Sequence, residues 1–215
     1  ALELCSGPTR DMDYLKQVYH YYRAFYENHI PVDVLKVTSD FSKYKIIAAP
    51  LLYMIKEGIS EKLETFVENG GTLIATYMSG LADENDRCIF GAYPGKLKKL
   101  LGIWVEETDA MYPEETNQMV IKEWKGLNGT YSCSFLCDQI HPGTAETLAV
   151  YGKDFYEGTP CMTVNRYGEG KAYYVGTCPE PAFMKKFVDQ ICGKNAVTPY
   201  LDVDADIEIC VRGNK

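Results

Sequence analysis

Lys45-Ile46-Ile47-Ala48-Ala49-Pro50-Leu51-Leu52 and Thr72-Leu73-Ile74-Ala75-Thr76-Tyr77, with the Ser60–Gly71 stretch between them, decide the fold. The two outer pieces are short apolar runs without alternation, the pattern of strands covered on both faces. Ser60 is placed to cap a helix, with Glu61 complementing the positive end of its dipole. Leu63, Phe66 and Val67 then make one apolar stripe. Gly70-Gly71 ends the helix, because glycine takes the left-handed conformation without a Cβ penalty. A helix joining two such strands makes a right-handed parallel crossover. The expected class is α/β: a parallel sheet flanked by helices.

Toward the N-terminus, Asp13 caps a helix predicted to run to about Asn28, with Tyr14, Val18, Tyr21, Tyr22 and Phe25 as its apolar face. His29-Ile30-Pro31 breaks it, and Val32–Val37 reads as the next strand. This is the second half of a β-α-β unit, whose first strand is expected to lie ahead of Ala1. Toward the C-terminus, Met78–Arg87 leaves the carboxyl end of a parallel strand, where α/β folds place binding groups. Pro94 opens a short helix through Leu97, Leu100 and Leu101, ended by Gly102, and Ile103–Glu107 resumes as a strand.

From Met111 the period changes to two. Asn117–Trp124, Tyr131–Gln139, Thr147–Tyr151 and Cys161–Tyr167 read as strands, so β-hairpins are added in the second half. Asn128-Gly129 reads as one hairpin turn, and Gly168-Glu169-Gly170 joins Met162–Tyr167 to Lys171–Gly176. Ala182–Cys192 is the final helix, with Phe183, Phe187 and Ile191 on one side. Ile207–Val211 reads as an isolated strand beyond a linker. The expected organisation is one domain over 1–197, missing its first strand, then a linker and the opening strand of a truncated β domain over 198–215.

A chain of 215 residues with 46% hydrophobic content can bury a sizeable core. The net charge of −8 argues against binding a nucleic acid backbone. No run approaches the roughly 18 to 20 apolar residues that span a bilayer, and no signal peptide opens the sequence. Eight cysteines are present without any C-x-x-C pair. Cys161, Cys178 and Cys192 sit inside strand or helix patterns, and Cys133 and Cys137 share a strand face. These features indicate free thiols in a reducing cytoplasm, with no metal and no cofactor.

The apparent motifs fail on physical grounds. Gly168-x-Gly170 lacks a third glycine at Tyr173 and precedes a strand, so it cannot cradle a pyrophosphate. Asp202-x-Asp204-x-Asp206 imitates a calcium loop, yet Ile207 and Gly213 stand where glycine and a bidentate glutamate are required. Asn128-Gly129-Thr130 is a glycosylation sequon better explained as a turn. His20, His29 and His141 are scattered, and Tyr77-x-Ser79-Gly80 is not a G-x-S-x-G elbow. Asp83, Glu84 and Asp86 could pair as glycosidic carboxylates, but a solvated acidic loop, partly neutralised by Arg87, is the reading favoured.

Longer strings carry a resemblance. Ala1-Leu2-Glu3, Asp13-Tyr14-Leu15, Tyr21-Tyr22-Arg23-Ala24-x-Tyr26-Glu27, Ile30-Pro31-Val32-Asp33-Val34 and Tyr44-Lys45 are five of them. Phe66-Val67-Glu68-Asn69-Gly70-Gly71-Thr72-Leu73 and Ser79-Gly80-x-x-Asp83-Glu84-Asn85-Asp86-Arg87 complete the set. Together they resemble the middle, trimerisation domain of the glycoside hydrolase family 42 β-galactosidases, densely to about Asp109 and more loosely to about Cys192. The resemblance implies a flavodoxin-like fold, similar to class I glutamine amidotransferases, that builds a homotrimer. It also implies that both catalytic glutamates, the β-galactoside site and a cysteine-bound metal belong to a barrel outside this chain. The amidotransferase nucleophile has no counterpart, since Met78-Ser79 occupies that turn.

Two functional expectations follow. The first is a non-catalytic assembly domain of a cytoplasmic β-galactosidase, without nucleic acid or membrane partners. Its interface or pocket-wall residues would be Glu3, Arg10, Ser79, Asp83, Glu84, Asn85, Asp86 and Arg87. The second is a stand-alone amidotransferase-like enzyme or small-molecule binder, with Ser79 served by His20 or His141.

Overall fold

The computed structural model describes residues 13–91, 93–122, 124, 126–201 and 209. In chain order the elements are α1 (Tyr14–Tyr26), β1 (Ile46–Ala49), α2 (Ile59–Glu68) and β2 (Thr72–Thr76). A 3-10 turn (Gly95–Leu97) leads into α3 (Lys98–Leu101), followed by β3 (Ile103–Ala110), β4 (Asn117–Ile121) and β5 (Thr130–Pro142). Then come β6 (Glu146–Tyr151), β7 (Pro160–Tyr167), β8 (Gly170–Val175), β9 (Thr177–Pro179) and α4 (Pro181–Lys194).

The expected β-α-β crossover is present. β1 and β2 are parallel neighbours, Ile46 opposite Thr72 and Ala49 opposite Ala75. α2 ends as anticipated, with Gly70 at φ 98° just beyond the Asn69 cap. At its start, however, Gly58 (φ 75°) holds the cap position and Ser60 lies buried in the first turn, its hydroxyl bonded to Glu61. Because the helix starts at Ile59, Ser60 falls one residue inside it, past the position from which a side chain can cap.

The hairpin at Gly168-Glu169 forms, with Tyr167 opposite Gly170. It lays β8 parallel to β2, Thr72 opposite Lys171. A Cβ at Gly170 would stand 2.1 Å from Val67 O and 2.2 Å from Gly71 O, so only glycine admits the end of α2 here. Through this contact the period-two half joins the crossover in one mixed sheet, ordered β1-β2-β8-β7-β6-β4-β5-β3, with β9 on β5. α1 and α4 cover one face, packing Phe25, Phe183 and Phe187 on Ile74, Met162 and Tyr173. α2 and α3 cover the other, packing Leu63, Val67 and Leu100 on Leu73, Ala75 and Tyr174.

Several expectations are corrected. Val32–Val37 is not a strand. Among the described residues β1 bonds only β2, and a groove of about 540 Å³ lies between its other edge and that segment, which therefore has no described ladder to join. β1 is met from both faces, Ile46 and Ala48 packing with the α1–α4 layer and Ile47 and Ala49 with the α2–α3 layer, but each of its residues stays only half-buried. Asp13 does cap α1, accepting from Lys16 N–H at 3.0 Å. The helix buries Gln17, Tyr21, Ala24 and Phe25, while Tyr22 faces outward, stacked between Tyr19 and Tyr26. Asn128-Gly129 is not a tight hairpin turn: β4 ends at Ile121 and the whole stretch to Gly129 connects it to β5. The Ile207–Val211 strand and the Asp202–Asp206 motif lie outside the described residues, save Ile209.

Candidate functional site

The long connection after β2 is the place where an α/β sheet would build a site. Tyr77 is buried, and its hydroxyl donates to Gln17 Oε1 at 2.6 Å, tying the strand end to α1. Met78 follows at φ 61°, a left-handed conformation that costs a non-glycine residue free energy. Strained turns of this kind hold nucleophiles at strand ends. Here the side chain is a buried thioether, which cannot attack anything.

Ser79 is fully buried, and its Oγ accepts from Leu52 N–H at 3.1 Å. Thr76 Oγ1 accepts from Leu51 N–H at 2.8 Å, and Gly80 N–H donates to Leu52 O at 2.9 Å. The two hydroxyls thus stitch the turn to the segment leaving β1. Gly80, at φ 78°, backs onto Pro94, where a Cβ would stand 2.2 Å from the carbonyl oxygen. Among the described residues no histidine bonds Ser79. His20 Nε2 bonds Pro179 O at 2.8 Å, and burial lowers its pKa. His141 stacks on Trp104 and pairs with Glu106 at 2.7 Å. The Ser–His arrangement required for a stand-alone amidotransferase-like enzyme is therefore absent among the described residues.

The acidic loop bonds to itself. Asp83 Oδ1 accepts from Arg87 N–H at 3.0 Å and from Asn85 N–H at 2.8 Å, and these bonds hold its carboxyl below the usual range. Arg87 Nε adds an ion pair at 3.5 Å. Asp86 closes the turn at φ 59°. Glu84, Asn85, Asp86 and Arg87 are exposed, and Phe90 beyond them is 97% exposed. Of the eight site residues expected from sequence, the five from Asp83 to Arg87 form one loop, while Ser79 is buried and bonded to Leu52 instead. Glu3 and Arg10 lie outside the described residues.

Sequence reasoning passed over Asp138. It lies fully buried on β5, flanked by strand residues that give no warning of a charge. Thr108 Oγ1 donates to Oδ1 at 2.6 Å; Tyr174 and Tyr93 hydroxyls donate to Oδ2 at 2.5 and 3.3 Å. Burial pushes its pKa up to about 7, against the opposing pull of these three hydroxyls. The one signal available was an acid beside the apolar pair Leu136-Cys137 in a strand of mixed composition. Among the described residues no group of three His, Cys, Asp or Glu could hold a metal ion. Cys88, Cys133, Cys137, Cys161, Cys178 and Cys192 are free thiols, and Cys133 and Cys137 are both buried in the α1–α4 layer, as their shared face predicts. No helix among the described residues is long and apolar enough to cross a membrane.

The geometry is that of an exposed, self-bonded loop on a chemically silent strand end. The chain is 49% identical over 213 residues to beta-galactosidase BgaA of Planococcus sp. strain SOS Orange, covering 99% of this chain and 32% of that protein. It is 43% identical over 207 residues to beta-galactosidase Pbg of Clostridium perfringens, covering 95% of this chain and 30% of that one. The beta-galactosidase from Bacillus circulans sp. alkalophilus superimposes with a TM-score of 0.94 at 44% identity, over 96% of this chain and 31% of the other. The chain thus spans about a third of the length of these relatives. The sequence model of the beta-galactosidase trimerisation domain matches residues 1–198, and the chain belongs to that family.

Proposed function

We propose that this chain is the non-catalytic assembly domain of a cytoplasmic, homotrimeric β-galactosidase that cleaves terminal β-galactosides on a separate barrel. The family match over residues 1–198 carries the reading. The strand end supports it, because the two residues that could have made a nucleophile there are a thioether and a hydroxyl engaged with Leu52 N–H. The parallel β1-β2-β8 core with helices on both faces supports a flavodoxin-like, amidotransferase-like ancestry for the domain. Its boundaries are 1–197, with 198–215 leading into a further β domain.

The contribution of such a domain is positional. The loop from Ser79 to Pro94 presents Phe90, 97% exposed, and burial of that ring against a neighbouring surface fixes how the barrels are set. Asp83 to Arg87 supply a polar rim. The symmetric product is a closed ring rather than a filament. The six free thiols among the described residues, four of them buried, suit a reducing compartment.

The test is direct. The full-length protein should sediment as a trimer and hydrolyse o-nitrophenyl β-galactoside, whereas residues 1–215 alone should show no hydrolysis. Turnover by the isolated chain would overturn the assignment.

A further inference from the structure

The two feet of the long loop after β2 meet at Asp138. Tyr93, on the returning foot, donates its hydroxyl to the carboxyl at 3.3 Å and lies 2.7 Å from the Tyr174 hydroxyl. The same phenol oxygen accepts from Ser79 N–H on the departing foot. The feet also press backbone on backbone, since a Cβ at Gly95 would stand 2.6 Å from Gly80 O. Val105 N–H donates to Tyr93 O at 2.8 Å and fastens the returning foot to β3. Between these feet the loop carries the acidic turn at Asp83 and the exposed Phe90.

The Asp138 carboxyl is fully buried, and its side-chain partners are the hydroxyls of Thr108, Tyr174 and Tyr93. Among the described residues no lysine, arginine or histidine offsets its charge. The titratable groups facing it are Tyr93 from the loop, Tyr174 from β8, Tyr151 from β6 and Tyr77 at the end of β2. Burial raises the pKa of all four phenols, so they keep their protons while Asp138 titrates. Cys137, its strand neighbour, packs in the α1–α4 layer, and Asp109, beside Thr108, turns to the Tyr156 hydroxyl at 3.0 Å. A neutral carboxyl can donate to a phenol oxygen here, whereas a buried carboxylate without a cation is the costly form and is relieved by water. Tyr174 and Thr108 are fixed in the sheet; Tyr93 is half-buried on the loop and is the partner that can move aside.

We propose that Asp138 is a proton-operated latch on this loop: the neutral carboxyl holds both feet closed, and its ionisation releases Tyr93 and loosens the surface that carries Phe90. The proton leaves to bulk water as water reaches the carboxylate. With the loop closed the carboxyl titrates at about 7, and hydrated behind an open loop it returns toward the ordinary 3.8. Between those values each step of one in pH favours the open loop about tenfold, and the gain levels off above about 7. The consequence for assembly rests on the reading of this loop as an interface; the latch itself does not.

The experiment follows hydrogen exchange at the Val105 amide, which is bonded to Tyr93 O, in the full-length protein. After correction for the intrinsic pH dependence of exchange, it should quicken about tenfold between pH 6 and pH 8.5, levelling off above about 7. The amides of β7, which is paired on both sides, should show no such rise. In Asp138→Asn, neutral at every pH, the Val105 profile should be flat. A flat profile in the native protein, or the same rise in Asp138→Asn, overturns the latch. Should Asp138→Asn fail to fold, Tyr174→Phe removes the closest donor to the carboxylate and should carry the levelling point to higher pH; an unmoved point overturns the latch equally. Sedimentation of the same samples separates the two readings. Trimers that weaken over this range in the native protein but not in Asp138→Asn support both. A pH-linked Val105 amide in a protein whose assembly ignores pH supports the latch and overturns the interface role of the loop.

Discussion

The two ends of this sheet solve the same problem differently. Toward one end, one strand in from the edge strand β3, β5 runs for 13 residues and bonds to β3, β4 and β9, leaving its backbone little unused capacity. At the other, β1 has four residues, each half-buried, and one partner. The paired end is secure enough to bury an acid without a cation beside it. The open end cannot bury even its isoleucines. Burial depends on how many neighbours a strand has, and the apolar content of the strand alone does not secure it.

The largest expected effect separates the ends with one chemical change. Ile140→Ala on β5, at 2% exposure, should cost about 2–5 kcal/mol, because the cavity cannot collapse. Ile47→Ala on β1 should cost about 1 kcal/mol, since that side chain is only partly buried. Equal urea shifts for the two variants would break the comparison.

Next comes the buried acid. The folded Asp138 carboxyl has its pKa raised to about 7 from an ordinary value of 3.8, so folding favours the protonated form. That stabilisation is complete below the ordinary value and is lost as pH rises toward 7, up to about 4 kcal/mol in all. Asp138→Asn should therefore gain stability relative to the native protein between pH 5 and pH 8, read from urea midpoints at each pH. A constant difference across that range would show that the three hydroxyls hold the carboxylate charged.

Ser79→Ala should cost about 1–3 kcal/mol, because Leu52 N–H loses its acceptor, and should leave galactoside turnover by the full-length protein unchanged. Loss of turnover at unchanged Tm would reopen a chemical role for the strand end. The smallest effect belongs to the open end: Val34→Thr, 83% exposed, should shift stability of the isolated chain by less than about 0.5 kcal/mol.

The parallel core was legible because its signals are local. Gly70 after an amphipathic stripe and two unbroken apolar runs suffice to place β1, α2 and β2. The antiparallel end was legible as strands but not as an arrangement. Period two says which face a residue takes, not which strand lies beside it, so neither β8 against β2 nor β9 against β5 could be read. Val32–Val37 failed for the opposite reason: it has strand residues without a strand's neighbour. In the candidate site, the acidic run from Asp83 to Arg87 was visible as a loop. The burial of Ser79 and the network around Asp138 depend on Leu52, Thr108, Tyr93 and Tyr174, which are remote in sequence.

The pairing of Thr72 with Lys171 also sets a timetable for synthesis. A ribosome making this chain finishes β2 long before the strand that covers its inner edge has been translated. Until then the crossover is a short ribbon with little to rest on, so the domain will close late and as a unit, and truncated or stalled products will present a sticky edge to whatever chaperone meets them.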